Sequence, residues 1–250
     1  MTVKCFTKSL MAIFIAIVMV FSRAHASDLH YSVGAQDFKG HIEKPSGKPL
    51  GKVFIIHDWN GLNQYEIMRA EKLAALGYEA VALDLFGVGA ILEGFEDYKR
   101  EAGALYANRQ EFQARILAAV TAASKNSTDG VAEFLMGYCF GGAAVLEGAR
   151  MGLDIDGFIS FHGGLETPEG QDYTQTKAPV LLLHGSADPV SGMNSLAFVL
   201  QQMQAAEISH AAEVYGGARH SFTVPGSRDY HSAADEKSWQ ALLRFLKEHQ

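Results

Sequence analysis

One cysteine stands in the stretch GYCFG at 137–141, with glycine two positions before it and two after it. That spacing suits a strand that must turn into a helix within about one residue, a turn that strains the backbone at Cys139 and leaves no room for a Cβ at 137 or 141. The start of such a helix aims free N–H groups at the sulfur and favours the thiolate. A thiol held this way is a nucleophile, whereas a buried thiol on a core helix, with the glycines serving close packing, is the other reading of the same window. Asp188, in HGSADPV at 184–190, and His220, in GARHSF at 217–222, favour the first reading. Each follows an apolar stretch, and the order Cys, Asp, His is that of triads on α/β-hydrolase sheets. His220 would accept the thiol proton and later protonate the leaving group, while Asp188 would fix its tautomer and orientation. In isolation Asp188 reads as a turn residue before Pro189, and His220 as a surface-loop histidine.

Acyl transfer through a thiol also needs two donors for the oxyanion. The backbone N–H of Phe140, directly after the nucleophile, is the first, and that of Trp59, in the loop after the apolar run 52–57, is the second. The Trp59 side chain packs over the sheet edge in the alternative reading, which leaves its N–H available. His57 and Asp58 are adjacent and point to different faces, so they do not form a metal pair, and no third ligand is suggested by spacing. No metal or organic cofactor is expected. His162, at the end of an apolar run, reads as structural or pocket-lining.

These residues require elements to carry them. Apolar runs at 52–57, 78–85, 131–138, 155–161, 180–184 and 211–215 read as strands, and 29–42 as one or two edge strands. Helices are predicted over 64–76, 95–124 with a break near Gly103 or Asn108, 141–151, 195–206 and 233–247. Gly77 closes the first helix as its C′ residue. The stretch 95–124 forms either a lid or a plain surface helix. Near-continuous apolar strands alternating with helices predict an α/β fold with a mostly parallel central sheet and helices on both faces. In such a sheet, reactive groups collect beyond the carboxyl ends of the strands, where Asp58, Cys139, Asp188 and His220 all fall. With no repeat or linker in the chain, one domain over 27–250 is expected.

The first 26 residues have another character. Lys4 and Lys8 precede the apolar run LMAIFIAIVMVF at 10–21, and Ala24, His25 and Ala26 follow as a small-x-small end. This predicts a secretory signal peptide cut after Ala26, with an uncleaved anchor as the alternative, and places the protein in the periplasm or outside the cell. No other stretch is apolar and long enough to span a membrane. Cleavage removes Lys4, Lys8 and Arg23, so the formal charge of −7 falls to about −10. An acidic chain without a Lys/Arg cluster argues against nucleic-acid binding. Cleavage also removes Cys5, which leaves Cys139 with no partner for an internal disulfide.

Five stretches together are similar to the dienelactone hydrolase family of α/β-hydrolases: IIHDWNGL at 55–62, ALDLFGVG at 82–89, GYCFGG at 137–142, HGSADPV at 184–190 and GARHSFTVPG at 217–226. The resemblance spans about 53–246 and implies a cysteine hydrolase with Cys139, Asp188 and His220 as its triad, cleaving esters or lactones through an acyl-enzyme. It also implies that Asp58, where the family often has glutamate, contacts and gates the resting thiol. Two arginines that grip a substrate carboxylate in dienelactone-cleaving members fall here on Val88 and Val224. A valine offers no fork to a carboxylate, so a neutral ester is expected, with Arg219 as a nearby positive group or simply a solvent-facing loop residue. Small-molecule esters or lactones are thus the expected substrates of an exported carboxylesterase, a monomer or small homo-oligomer. Acyl transfer by the same triad, and a redox-responsive binding protein on a hydrolase scaffold, are the competing functions.

Overall fold

The computed structural model describes residues 25–125 and 130–250. The expected leader lies outside this range except for His25 and Ala26, which open the first strand. Strands β1 (His25–Val33) and β2 (Gln36–Lys44) form a hairpin that turns at Gly34, whose φ of 57° lies in the left-handed region. Then β3 (Lys52–Ile56), α1 (Gln64–Ala75), β4 (Glu79–Leu83), α2 (Phe95–Ala107), α3 (Arg109–Ser124) and β5 (Glu133–Tyr138) follow. The chain continues through α4 (Phe140–Arg150), β6 (Gly157–Phe161), β7 (Val180–Gly185), α5 (Met193–Ala205), β8 (His210–Tyr215) and α6 (Ser232–Glu248).

All eight strands belong to one sheet in the order β1-β2-β4-β3-β5-β6-β7-β8. From β4 to β8 every neighbouring pair is parallel, while β1 and β2 run antiparallel at one side. Only β1 of the first two is an edge: β2 is covered by β4, with Ile42 opposite Val81. Alternation along the strands feeds two cores. Phe54, Ile56, Val81 and Leu135 pack with Phe112, Val145 and Met203 on the face of α2, α3, α4 and α5. Val53, Ile55, Phe134 and Met136 pack with Leu73, Leu242 and Leu246 on the face of α1 and α6. Burial on both faces is why these strands read as continuous apolar runs.

One strand ends earlier than the sequence reading has it, and one of the two helix breaks that reading offered is realised. The strand expected over 78–85 ends at Leu83 because the Asp84 carboxylate takes the N–H groups of Phe86 and Gly87, bending the chain into a turn. The long helix breaks at Asn108 and not at Gly103: the Asn108 side chain accepts the Glu111 N–H and starts α3. Among the described residues, no helix is long and apolar enough to cross a membrane.

Candidate active site

Cys139 sits between β5 and α4 with φ 53° and ψ −109°, a strained conformation for a residue with a side chain. The flanking glycines make the turn sterically feasible. A Cβ on Gly137 would strike the Gly141 carbonyl, and one on Gly141 would strike the Ile56 carbonyl oxygen of the neighbouring strand. Gly142 passes equally close to Gly163 and Ser160.

Asp188 and His220 meet the thiol from the loops after β7 and β8. The Asp188 carboxylate divides its work: Oδ1 accepts the N–H groups of Val190 and Ser191 at 2.8 and 3.1 Å, and Oδ2 lies 2.8 Å from His220 Nδ1. His220 Nε2 lies 3.0 Å from Cys139 Sγ. A carboxylate, an imidazole and a thiol are therefore connected in one line. Burial pushes the Asp188 carboxyl up, but His220 and the two turn N–H groups outweigh it and hold the acid below its ordinary 3.8.

Asp58 approaches from the end of β3. It is buried, its Oδ1 accepts the Trp59 N–H at 2.5 Å, and its carboxylate acts on the Cys139 thiol beside it. Burial raises the Asp58 pKa. Burial and the Asp58 charge raise that of Cys139 well above its ordinary 9.0, and the N–H groups of Phe140 and Trp59, which lie at the sulfur, pull less strongly the other way. The helix start was expected to favour thiolate; the resting sulfur is instead a protonated thiol, because desolvation and a neighbouring carboxylate exceed the pull of two amides. Both N–H groups assigned to the oxyanion act on the sulfur, that of Trp59 while it donates to Asp58 Oδ1.

A second row of residues holds these in place. Glu66 of α1 is fully buried and accepts the Asp58 and Asn63 N–H groups, each at 3.1 Å, which ties the loop carrying Trp59 to the helix. Its carboxyl is raised to about 7 by burial, against those two hydrogen bonds. On the far side, Thr223 anchors the His220 loop. Its hydroxyl lies 2.8 Å from His162 Nε2 and 2.7 Å from Tyr65 Oη, and its carbonyl accepts Arg69 at 2.7 Å. His162, kept neutral by burial, packs its ring 5.4 Å from that of His220. The sequence reading of His162 as structural or pocket-lining left this anchor unassigned. His57 is a buried structural residue: Nε2 accepts the Leu85 N–H at 3.0 Å, and Nδ1 lies 2.6 Å from the Asp58 carbonyl oxygen.

A cleft of about 620 Å³ opens above the sulfur, walled by Trp59, Phe95, Ala102, Tyr106, Phe140 and Val190. Trp59 packs edge-on against Phe95 and Tyr98, so its ring forms wall while its N–H is held by Asp58 Oδ1. Helix α2 is the roof: Phe95, Lys99, Ala102, Gly103 and Tyr106 all face the cleft, a helical stripe visible in the sequence once the helix is placed. Arg219 pairs with Asp229 at 2.9 Å and does not line the cleft, whereas Arg228 and Lys99 stand at its walls. Neither Val88 nor Val224 lines it.

Comparison with known proteins agrees with this geometry. The model of the dienelactone hydrolase family matches residues 38–250. A protein of Escherichia coli O157:H7 carrying the name carboxymethylenebutenolidase is 26% identical over 216 residues, covering 82% of this chain and 80% of its own. The structure of a dienelactone hydrolase-like promiscuous phosphotriesterase from metagenomic libraries superposes with a TM-score of 0.84 at 28% identity, covering 91% of this chain and 99% of that one. A Pyrococcus horikoshii acylaminoacyl peptidase shares the fold alone, with a TM-score of 0.71 at 15% identity over 92% of this chain and 42% of its own. The chain belongs to the dienelactone hydrolase family and is an ester- or lactone-cleaving hydrolase of the α/β fold.

Proposed function

We propose that the protein is an exported hydrolase that cleaves carboxylic esters or lactones through a thioester on Cys139. The observation that carries the reading is the line from Asp188 through His220 to the sulfur, at 2.8 and 3.0 Å. His220 Nε2 removes the thiol proton as the sulfur attacks the substrate carbonyl carbon, and the oxyanion that forms is held by the N–H groups of Phe140 and Trp59. Collapse of the adduct expels the alcohol oxygen, which takes the proton from His220, and leaves the acyl group on sulfur. Water then gives a proton to His220 and adds its hydroxyl to the thioester. The acid departs, and His220 returns the proton to the sulfur.

Asp58 keeps the resting thiol protonated, so the nucleophile forms only when a substrate displaces that contact. Export rests on the leader at 1–26. The mature chain starting at Ser27 would retain β1 from Ser27 onward, paired with Ile42 and the residues before it in β2.

Hydrolysis by the purified protein over a panel of acyl esters and lactones tests the chemistry, with Cys139→Ala as its control. Turnover is expected to vanish in that variant while the protein stays folded; unchanged turnover would remove Cys139 from the reaction. Intact mass of the exported protein tests the leader, where a start at Ser27 is expected and a start at Met1 rejects cleavage.

A further inference from the structure

A second cavity, of about 640 Å³, adjoins the catalytic cleft. The two share Tyr106 and Val190, and Ala143, one helical turn from Cys139, is part of the second cavity's wall. Their chemistry differs. The cleft sets Trp59, Phe95 and Phe140 beside Lys99, Arg228 and Asp229, whereas the second cavity presents Arg109, Glu166, Thr167, Asn194 and Ser195 beside Leu165 and Phe198. Among the described residues, the side chains of Glu166, Asn194 and Ser195 make no hydrogen bond within the protein.

Arg109 donates one N–H to Glu147 at 3.3 Å and covers the Tyr106 ring with its guanidinium at 5.2 Å. That Glu147 is already held by Arg150, Gln113 and Gln171. Phe198, 55% exposed, adds an open ring to the wall.

Arg109, Arg150 and Glu166 are the charged groups of the lining, and buried Glu147 pairs with both arginines, so the charges balance and this cavity does not select a charged group. It offers donors and acceptors side by side with one open aromatic ring, that of Phe198. A hydroxyl both donates and accepts, and adjacent hydroxyls match the paired atoms of a guanidinium, a carboxylate and an amide. The C–H faces of a ring bearing them fit an aromatic surface. An alkyl group would displace water from these solvent-facing polar atoms without replacing its hydrogen bonds.

We propose that the second cavity is a polyol subsite, holding a sugar-sized, hydroxyl-rich alcohol while the aromatic-walled cleft holds the acyl chain of the same ester. The assignment rests on ester cleavage at Cys139, and the leaving alcohol that takes the proton from His220 is then the free polyol. A cavity of this size falls within the range of about 300–1,000 Å³ typical of small-molecule sites.

The test compares glucose 6-O-hexanoate with ethyl hexanoate, following acid release by the purified protein. The sugar ester is expected to show a kcat/KM higher by about tenfold or more, the scale on which a few matched hydroxyls discriminate at a partly open site. Asn194→Leu and Glu166→Leu are each expected to cut that ratio at least about threefold, through a higher KM for the sugar ester. A ratio at or below one, or a ratio that neither variant moves, overturns the subsite. Cleavage of ethyl hexanoate alone, lost in Cys139→Ala, overturns the subsite and leaves the thiol mechanism standing. Cleavage of neither ester overturns both.

Discussion

Asp188 does two jobs with two oxygens, and the division can be tested. In Asp188→Asn the amide oxygen can keep the Val190 and Ser191 N–H groups, which places the NH2 group against His220 Nδ1 and forces the imidazole into the wrong tautomer. Expected is a fall in kcat of about 10³- to 10⁴-fold with little change in melting temperature; a fall of less than about tenfold would separate Asp188 from the reaction. Asp58 acts on the same thiol in the opposite sense, holding its proton in the resting state. Removing the carboxylate in Asp58→Asn lowers the thiol pKa, so alkylation of Cys139 by iodoacetamide at pH 7 is expected to accelerate several-fold. A slower reaction would dismiss the gate. Cys139, Asp188 and His220 were legible from residue type, order and position after apolar runs. The protonation of the thiol was not, because it depends on Asp58, 81 positions earlier in the chain, reaching the sulfur across β3 and β5.

At the scale of elements, the elbow is a local object and the histidine loop is not. Glycines at 137 and 141 announce a strand-to-helix turn because the crowding they relieve is set by residues a few positions apart and by one neighbouring strand. The loop after β8 is fixed instead by Thr223, on which Tyr65 and Arg69 of α1 and His162 after β6 converge. Nothing in a threonine three residues past a histidine signals this. Thr223→Val keeps the shape but removes the hydroxyl, and is expected to lower kcat by about tenfold to a hundredfold with KM little changed, as a nucleophile–base pair loses alignment. Thr223→Ser should restore most of the rate and the wild-type pH profile. Equal losses in both variants, or a loss confined to KM, would make Thr223 a packing residue only. Helix α2 lies between these cases: its helical period was readable, but only the packing of Trp59 on Phe95 and Tyr98 makes it the roof of the cleft.

Across the whole molecule, burying polar groups beneath the catalytic loops has a cost that depends on pH. Glu66 has a folded pKa of about 7 against an ordinary 4.5. Between these values the folded chain holds a proton that the unfolded chain has released, so its contribution to stability is present below about pH 4.5 and is lost as pH rises through 7. Relative to Glu66→Gln, the wild type is therefore expected to lose up to about 3 kcal/mol of unfolding free energy between pH 4.5 and 8, read from denaturant midpoints at each pH. A difference independent of pH would show that Glu66 remains ionised throughout. The amino-acid sequence by itself determined the α/β class, the site of the elbow and which three residues the structure aligns there, because apolar period, glycine spacing and chain order are local or sequential properties. Only the tertiary structure decided which wall meets the sulfur, that the thiol rests protonated, and that a second cavity adjoins the aromatic-walled cleft. Those depend on distances between residues far apart in the chain, on the exclusion of water from the space they enclose, and on charges that act through that space.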